Sequence, residues 1–169
     1  MKLEESFFPV IAGDENSSYP HHIPEGKKIE KYLLIDFGVK YNYYHSDLTR
    51  FFIIDKMKTD KLIKKAFNDL NKAKEIALHL IKPGKVIGKV VKEVENYLKD
   101  RGWKDNLYHT LGHGIGIEVH EYPSLSNKNR DIFKENMVFT IEPGIYIRGI
   151  GGVRIEDVYL LKKGGVEKL

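Results

Sequence analysis

Asp36, Asp47, His113, Glu142 and Glu156 are four carboxylates and one imidazole, the donor types that a pair of divalent cations requires. Each stands in a distinctive setting: LLIDFG around Asp36, HSDLTR around Asp47, HTLGHGIGIEVHEYP around His113, FTIEPGIY around Glu142 and GGVRIEDV around Glu156. Four ionised acids cannot share a small cleft unless cations compensate them, because repulsion and lost hydration would raise their pKa values or open the site. Two divalent ions carry four positive charges against four negative ones, and water shared between two Lewis acids is easily deprotonated to a nucleophile at neutral pH. Carboxylate oxygen with one imidazole suits manganese, cobalt, iron or zinc and argues against copper or a structural zinc site.

Taken singly, each acid is most simply read as solubilising surface charge. Position argues otherwise. Asp36 ends the run YLLI, Glu142 follows VFTI and Glu156 follows GGVRI, so three of the four are embedded in apolar stretches where an uncompensated charge would be expensive. His113 lies between Gly112 and Gly114, which let the backbone turn tightly and bring the ring close to other groups. His109 and His120 bracket it, and each on its own fits a satisfied core residue or a loop residue equally well. His21, in the loop YPHHIP, is bland by itself.

The elements that position these residues follow from pattern. Residues 7–12 are a short apolar run and 32–37 a continuous one, both read as strands, with a return strand over residues 43–54. A two-residue turn at Tyr41 and Asn42 would set Asp36 directly opposite Asp47, with Cα atoms about 4.5 to 5.5 Å apart and side chains on one face. From residue 60 to 81, Leu62, Ile63, Ala66, Phe67, Leu70, Ala73, Ala77, Leu80 and Ile81 recur at three- and four-residue steps, which predicts an amphipathic helix capped by Thr59 or Asp60. Pro83 and Gly84 break it, and a second helix with Ile87, Val90, Val91, Val94, Tyr97 and Leu98 inward runs to about Gly102. Strands return at 115–120, 137–141, 145–147 and 153–161.

At 169 residues with 41% hydrophobic content the chain suits one soluble domain, and no apolar run is long enough to span a bilayer, so no membrane partner is expected. Met1 is followed by KLEES rather than a secretory signal, and the lack of cysteine excludes disulfides and thiolate metal sites, which makes a cytoplasmic address the default. The net charge of +4 comes mainly from dispersed lysines such as Lys61, Lys64, Lys65, Lys72 and Lys74, without interleaved aromatics, so a solvated helix face is preferred over nucleic-acid binding.

Together the motifs resemble the metal-dependent aminopeptidases of the pita-bread fold, the group containing Xaa-Pro dipeptidase (prolidase), aminopeptidase P and methionine aminopeptidase. All five positions occur in the family's order, from about residue 7 onward. The resemblance implies an α+β fold, a curved antiparallel sheet backed by helices, and two divalent metal ions. It implies that Asp36 binds one metal, that Asp47 and Glu156 bridge both, and that His113 and Glu142 bind the other. His21, His109 and His120 are then the outer histidines that contact substrate and stabilise the tetrahedral intermediate, and Arg154 the buried partner of the metal carboxylates. GHGIGIEVHEYP, GGVRIEDV and AGDENSSYPHHIP are more similar to the proline-specific branch than to the methionine branch. The expected activity is thus hydrolysis by a metal-bridging hydroxide of a peptide with proline at its second position, with His120 bearing the oxyanion and Glu142 moving the proton. Against the family pattern residues 1–169 form a single, partial catalytic domain, without an N-terminal domain and the first helix pair, and a homodimer is left open. The other readings are a non-catalytic binding module of the same fold, an inactive truncated product and, within the family, a methionine aminopeptidase.

Overall fold

A computed structural model describes residues 3–169. The first part of the chain is β1 (Glu4–Glu5), β2 (Val10–Gly13), β3 (Tyr32–Phe37), β4 (Val39–Tyr41), β5 (Tyr44–His45) and β6 (Leu48–Ile53). Two helices follow, α1 (Lys61–Leu80) and α2 (Ile87–Asp100). The last part is β7 (His113–Gly114), β8 (Glu121–Ser124), β9 (Val138–Ile141), β10 (Gly144–Ile147), β11 (Gly151–Arg154), β12 (Asp157–Lys162) and β13 (Gly165–Lys168). The strands form antiparallel sheets in the orders β2-β3-β6, β1-β4-β5, β10-β11 and β13-β12-β9-β7-β8. No helix among the described residues is long and apolar enough to cross a membrane.

The hairpin between β4 and β5 turns one residue later than expected. Tyr41 pairs with Tyr44, so the turn residues are Asn42 and Tyr43, both at positive φ (47° and 71°). A tight hairpin turn of this hand needs two left-handed residues, which Asn adopts readily and Tyr does not advertise in sequence. The shift moves every partner by two, and Asp36 faces Thr49 instead of Asp47. Since two residues restore the same face, Asp36 and Asp47 remain on one side as diagonal neighbours. The return strand is also interrupted: Ser46 and Asp47 fall between β5 and β6, outside the ladder.

The helix pair matches its sequence signals. Asp60 caps α1 by accepting the Leu62 N–H at 2.7 Å, and Pro83 and Gly84 lie between the helices. Ile63, Ala66, Leu70, Ala73 and Ala77 of α1 and Val90, Val91, Val94 and Leu98 of α2 are buried, while Tyr97 is half-buried. α1 lies against β10, β11 and β13, and the Phe67 ring meets that of Phe51 on β6 at 5.6 Å between centroids. One buried acid ties the pair together. Asp69 of α1 accepts from Lys65 Nζ at 2.9 Å, Arg101 Nε at 3.0 Å and Trp103 Nε1 at 2.7 Å.

Two later strand expectations are corrected. Residues 115–120 are not a strand but a bent loop between β7 and β8. Its neighbourhood is backbone packed on backbone: a Cβ on Gly112 would lie 2.1 Å from the Thr140 carbonyl oxygen, and one on Gly114 2.1 Å from that of Tyr122. The loop then curls, with the Gly116 N–H on the Glu118 carbonyl at 3.1 Å and the Glu118 N–H on Glu121 Oε2 at 3.2 Å. Residues 153–161 are likewise split, because the chain leaves β10 after Arg154 and joins β9 at Asp157. Ile155 and Glu156 lie in the gap.

Burial alone would raise the Asp69 carboxyl, but its bonds to Lys65, Trp103 and Arg101 outweigh that and hold it below the usual aspartate range. A depressed folded pKa contributes stability above the unfolded value that is lost as pH falls through the folded one. Asp69→Asn is therefore expected to lower the unfolding free energy by roughly 1 to 3 kcal/mol at neutral pH. The difference from the parent should narrow below about pH 4, as read by chemical denaturation at both pH values.

Candidate metal centre

The four acids meet where strands are interrupted. β9 pairs with β12 through Ile141 and Asp157, and β10 with β11 through Gly144 and Arg154, in one continuous register. Glu142 and Pro143 therefore face Glu156 and Ile155 across the gap, and Pro143, having no N–H, cannot complete a ladder there. The first sheet is stitched to this junction from the other side. The Glu156 N–H donates to the Thr49 carbonyl at 3.2 Å, and Arg50 Nη1 donates to the carbonyls of Thr49 and Glu156 at 2.9 and 2.6 Å. Asp36, at the end of β3, and Asp47, just before β6, are thereby carried to the same point as Glu142 and Glu156.

His113 arrives on β7, its N–H held by Thr140 Oγ1 at 3.1 Å. Its Nδ1 lies 3.0 Å from the Gly114 carbonyl and donates its proton there, so Nε2 is the nitrogen left to face the acids, donating to a carboxylate when protonated and offering its lone pair to a cation when not. That nitrogen points at the acids, 3.2 Å from Glu142 Oε1 and 3.6 Å from Asp47 Oδ2. Donor atoms of Asp47, His113 and Glu156 all lie within 4.8 Å of one another, close enough to share one cation. All five sequence-predicted acid and imidazole residues line a single cleft of about 470 Å³, together with His21, His109, His120 and Arg154.

Around the acids runs a network that satisfies one oxygen of some and leaves the other bare. Arg154 Nη2 bonds Asp36 Oδ2 at 2.5 Å, and Thr49 Oγ1 donates to Glu156 Oε2 at 2.7 Å while accepting from Arg154 Nε at 3.1 Å. Arg154 Nη1 reaches the Tyr146 hydroxyl at 2.7 Å, which lies 2.9 Å from His109 Nε2. Three carboxylate oxygens are left buried without a partner: Asp36 Oδ1, Asp47 Oδ1 and Glu156 Oε1. Buried polar atoms are almost always bonded, so three orphans in one cleft mark it as built to receive cations.

The electrostatics agree. Burial, then the charges of Asp36 and Glu142, pushes the Asp47 carboxyl up to about 7. Burial and the charges of Glu142, Asp47 and Asp36 put Glu156 well above the usual range. Glu142 goes the other way: burial would raise it, but the His113 hydrogen bond with the charges of His109, His113 and Arg154 holds it low. Burial lowers both His109 and His120. The His120 ring packs 4.1 Å from that of His113, and Glu142 Oε2 lies 3.7 Å from His109 Nδ1.

Two contributors are not evident in the sequence. Thr49 stands two residues after Asp47 in HSDLTR, hence on the same face, and that spacing was its one signal. Tyr146 in GIYI gave none, because a fully buried tyrosine in an apolar strand reads as core.

The profile of metallopeptidase family M24 matches residues 2–163. The chain is 36% identical over 166 residues to a Xaa-Pro dipeptidase of Pyrococcus furiosus, which covers 97% of this chain and 47% of that protein. It is 43% identical over 174 residues to an uncharacterized peptidase of Methanocaldococcus jannaschii, covering 99% of this chain and 48% of that one. The chain thus spans about half the length of the curated relatives it matches. Among solved structures, the prolidase from Pyrococcus furiosus superposes with a TM-score of 0.91 at 36% identity, over 97% of this chain and 49% of that chain. The X-Pro aminopeptidase from Thermotoga maritima does so with a TM-score of 0.90 at 35% identity, over 97% of this chain and 47% of that chain. With the profile matched over nearly its whole length and the pita-bread fold in common with these structures, this chain belongs to metallopeptidase family M24.

Proposed function

We propose that the chain is the catalytic domain of a metallo-exopeptidase that holds two divalent ions and hydrolyses Xaa-Pro bonds. The observation that carries this reading is the trio of buried, unpartnered oxygens on Asp36, Asp47 and Glu156. Hard anionic oxygens beside one imidazole lone pair fit manganese, cobalt, iron or zinc. In this reading Asp36 would hold one ion and His113 and Glu142 the other, with Asp47 and Glu156 available to both. When bound, the ions balance the four acids and supply an acidified water as the nucleophile.

The chain's own residues do the rest. Arg154 pins Asp36 through Oδ2, and Thr49 pins Glu156 through Oε2, so the free oxygen of each is fixed toward the cleft. Glu142 takes the nucleophile's proton on Oε2, the atom 3.7 Å from His109 Nδ1, and passes it to the departing proline nitrogen. His120, its pKa lowered by partial desolvation and by the neighbouring His113, donates to the carbonyl oxygen as charge develops there. His109, steadied by Tyr146, and His21, also on the lining, contact the substrate. A bond to proline lacks the N–H that peptidases grip, so recognition falls to shape, and Phe7, Phe8, Val10 and Val119 give the cleft an apolar side. The Pyrococcus furiosus relative is a Xaa-Pro dipeptidase, which supports the same bond, and the lack of cysteine supports a cytoplasmic setting.

Two outcomes test this. Raised folded pKa values mean that, without metal, the folded chain binds more protons than the unfolded one between about pH 4 and 7. Stability of the chelator-treated protein should therefore fall as pH rises through that window, because Asp47 titrates at about 7. Thermal melts at acidic and alkaline pH should show the loss, Asp47→Asn should flatten it, and manganese or cobalt should reverse it at alkaline pH. In the second test, metal-supplemented protein is assayed on Xaa-Pro peptides. Asp47→Ala should cut kcat/KM by more than about 100-fold, beyond what losing an outer partner of a metal ligand costs. Unchanged turnover, or cleavage of methionyl peptides alone, would reject the proposal.

A further inference from the structure

His21 reaches the cleft on a stretch of chain that has little to hold it. The connection between β2 and β3, residues 14–31, contains one short helical turn (Asp14–Ser18) and no strand, and a loop of that length inside a compact fold is usually functional. Tyr19, His21 and residues 23–28 are exposed, so packing contributes little to fixing them. Pro20 and His21 are the two central residues of a turn closed by the His22 N–H on the Tyr19 carbonyl at 3.2 Å, and Arg154 Nη1 donates to the Pro20 carbonyl at 3.3 Å. Both ends of the connection are gathered on one side chain. Asp14 Oδ1 accepts the N–H groups of Lys31 at 2.8 Å and Tyr32 at 3.2 Å, and Oδ2 accepts that of Glu30 at 3.1 Å.

Asp14 does this from an unfavourable backbone conformation. Its φ is 51°, in the left-handed region that residues other than glycine seldom enter, Asp and Asn most readily among them. Glycine would relax the backbone there but has no oxygens to offer. Bonds from carboxylate oxygen to backbone N–H groups are charge-assisted and among the stronger ones, so three on one side chain make a clamp. The clamp is also seated on the strand that carries Arg154. The Asp14 carbonyl accepts from Ser17 Oγ at 2.7 Å, and that hydroxyl accepts the Gly152 N–H of β11 at 2.8 Å. The fit is close, since a Cβ on Gly152 would lie 2.2 Å from the Ser17 carbonyl oxygen. We infer, on the footing of the substrate contact proposed above for His21, that Asp14 is a positioning residue whose carboxylate closes the neck of the 14–31 connection and thereby holds His21 in the cleft. Asp14 is not on the cleft lining and acts only through His21.

Two substitutions separate the clamp from the backbone strain. Asp14→Gly removes all three acceptors and suits the positive φ, while Asp14→Asn keeps one acceptor oxygen and tolerates the same φ. In metal-loaded protein assayed on Xaa-Pro peptides, Asp14→Gly should lower kcat/KM by about ten- to a hundredfold, the scale of a displaced substrate contact. Asp14→Asn should fall between that variant and the parent. The loss should not add to that of His21→Ala: the double variant should match His21→Ala alone, with metal content unchanged. Trypsin should cut after Lys27 or Lys28, both exposed, faster in Asp14→Gly than in the parent. Additive losses, a matching loss of metal, unchanged kcat/KM or parent-like cutting overturns the inference and leaves Xaa-Pro hydrolysis standing. Should the parent cleave no such peptide, the reaction proposed above fails, and the clamp is judged on trypsin and on the nuclear magnetic resonance of the His21 ring. A dispersed resonance that moves to its unfolded position in Asp14→Gly, with faster cutting, supports the clamp, and one that stays in place overturns it.

Discussion

Excess buried negative charge is the constraint on which this molecule turns. Four carboxylates from four separate segments share one cleft, and among the described residues the protein supplies them with a single guanidinium, two threonine hydroxyls and two histidines. Those partners are placed unevenly. Asp36 and Glu156 each have one oxygen bonded and the other bare, and Asp47 keeps a bare oxygen too. Had the acids only a structural role, full pairing would be the cheaper arrangement, since a half-satisfied buried group carries its desolvation cost with little return.

The backbone is arranged around the same need. A regular ladder uses every N–H and C=O on its neighbours and sends side chains alternately to two faces, so four acids on one regular sheet would be spread at strand spacing. Here Asp47, Glu142 and Glu156 lie at breaks, where the chain leaves one partner for the next. Pro143 helps make the break between β9 and β10, and Arg50 closes it from behind by gathering the carbonyls of Thr49 and Glu156. The interruptions cost ladder bonds and bring distant segments to one point.

Much of this was legible in the chain. The helix pair could be read from its 3.6-residue stripe, the Asp60 cap and the Pro83–Gly84 stop, because those signals are local. The constellation could be read because acids in YLLID, FTIE and GGVRIE contradict their apolar surroundings. The hairpin was misplaced by one residue because nothing in the side chain of Tyr43 announces a positive φ. Residues 115–120 alternate like a strand, but Gly112 and Gly114 just before them let backbones approach closely, and at Gly116 the Glu121 carboxylate fills the space a side chain would take, so the chain bends instead of pairing. Thr49 and Tyr146 were hidden for a different reason. Both are ordinary strand formers, and their hydroxyls acquire meaning only through Arg154 and His109, which tertiary packing brings to them.

Glu156 and Asp157 show how the fold sorts its charges. They are adjacent at the entry to β12, both buried, and their carboxylates meet different partners. Asp157 is held by Arg50 at 2.7 Å, by Lys168 at 2.6 Å and by Lys74, and despite burial these partners draw its carboxyl down to about 2. Glu156 has one hydroxyl and three acidic neighbours, and its carboxyl rises well above the ordinary range. Lys74 and Lys168, which could have neutralised the cleft, are engaged by Asp157 instead. Burial is therefore common to both, and the difference lies wholly in the partners: Asp157 is a finished structural joint, and Glu156 belongs to a site whose missing charge has to come from outside the polypeptide.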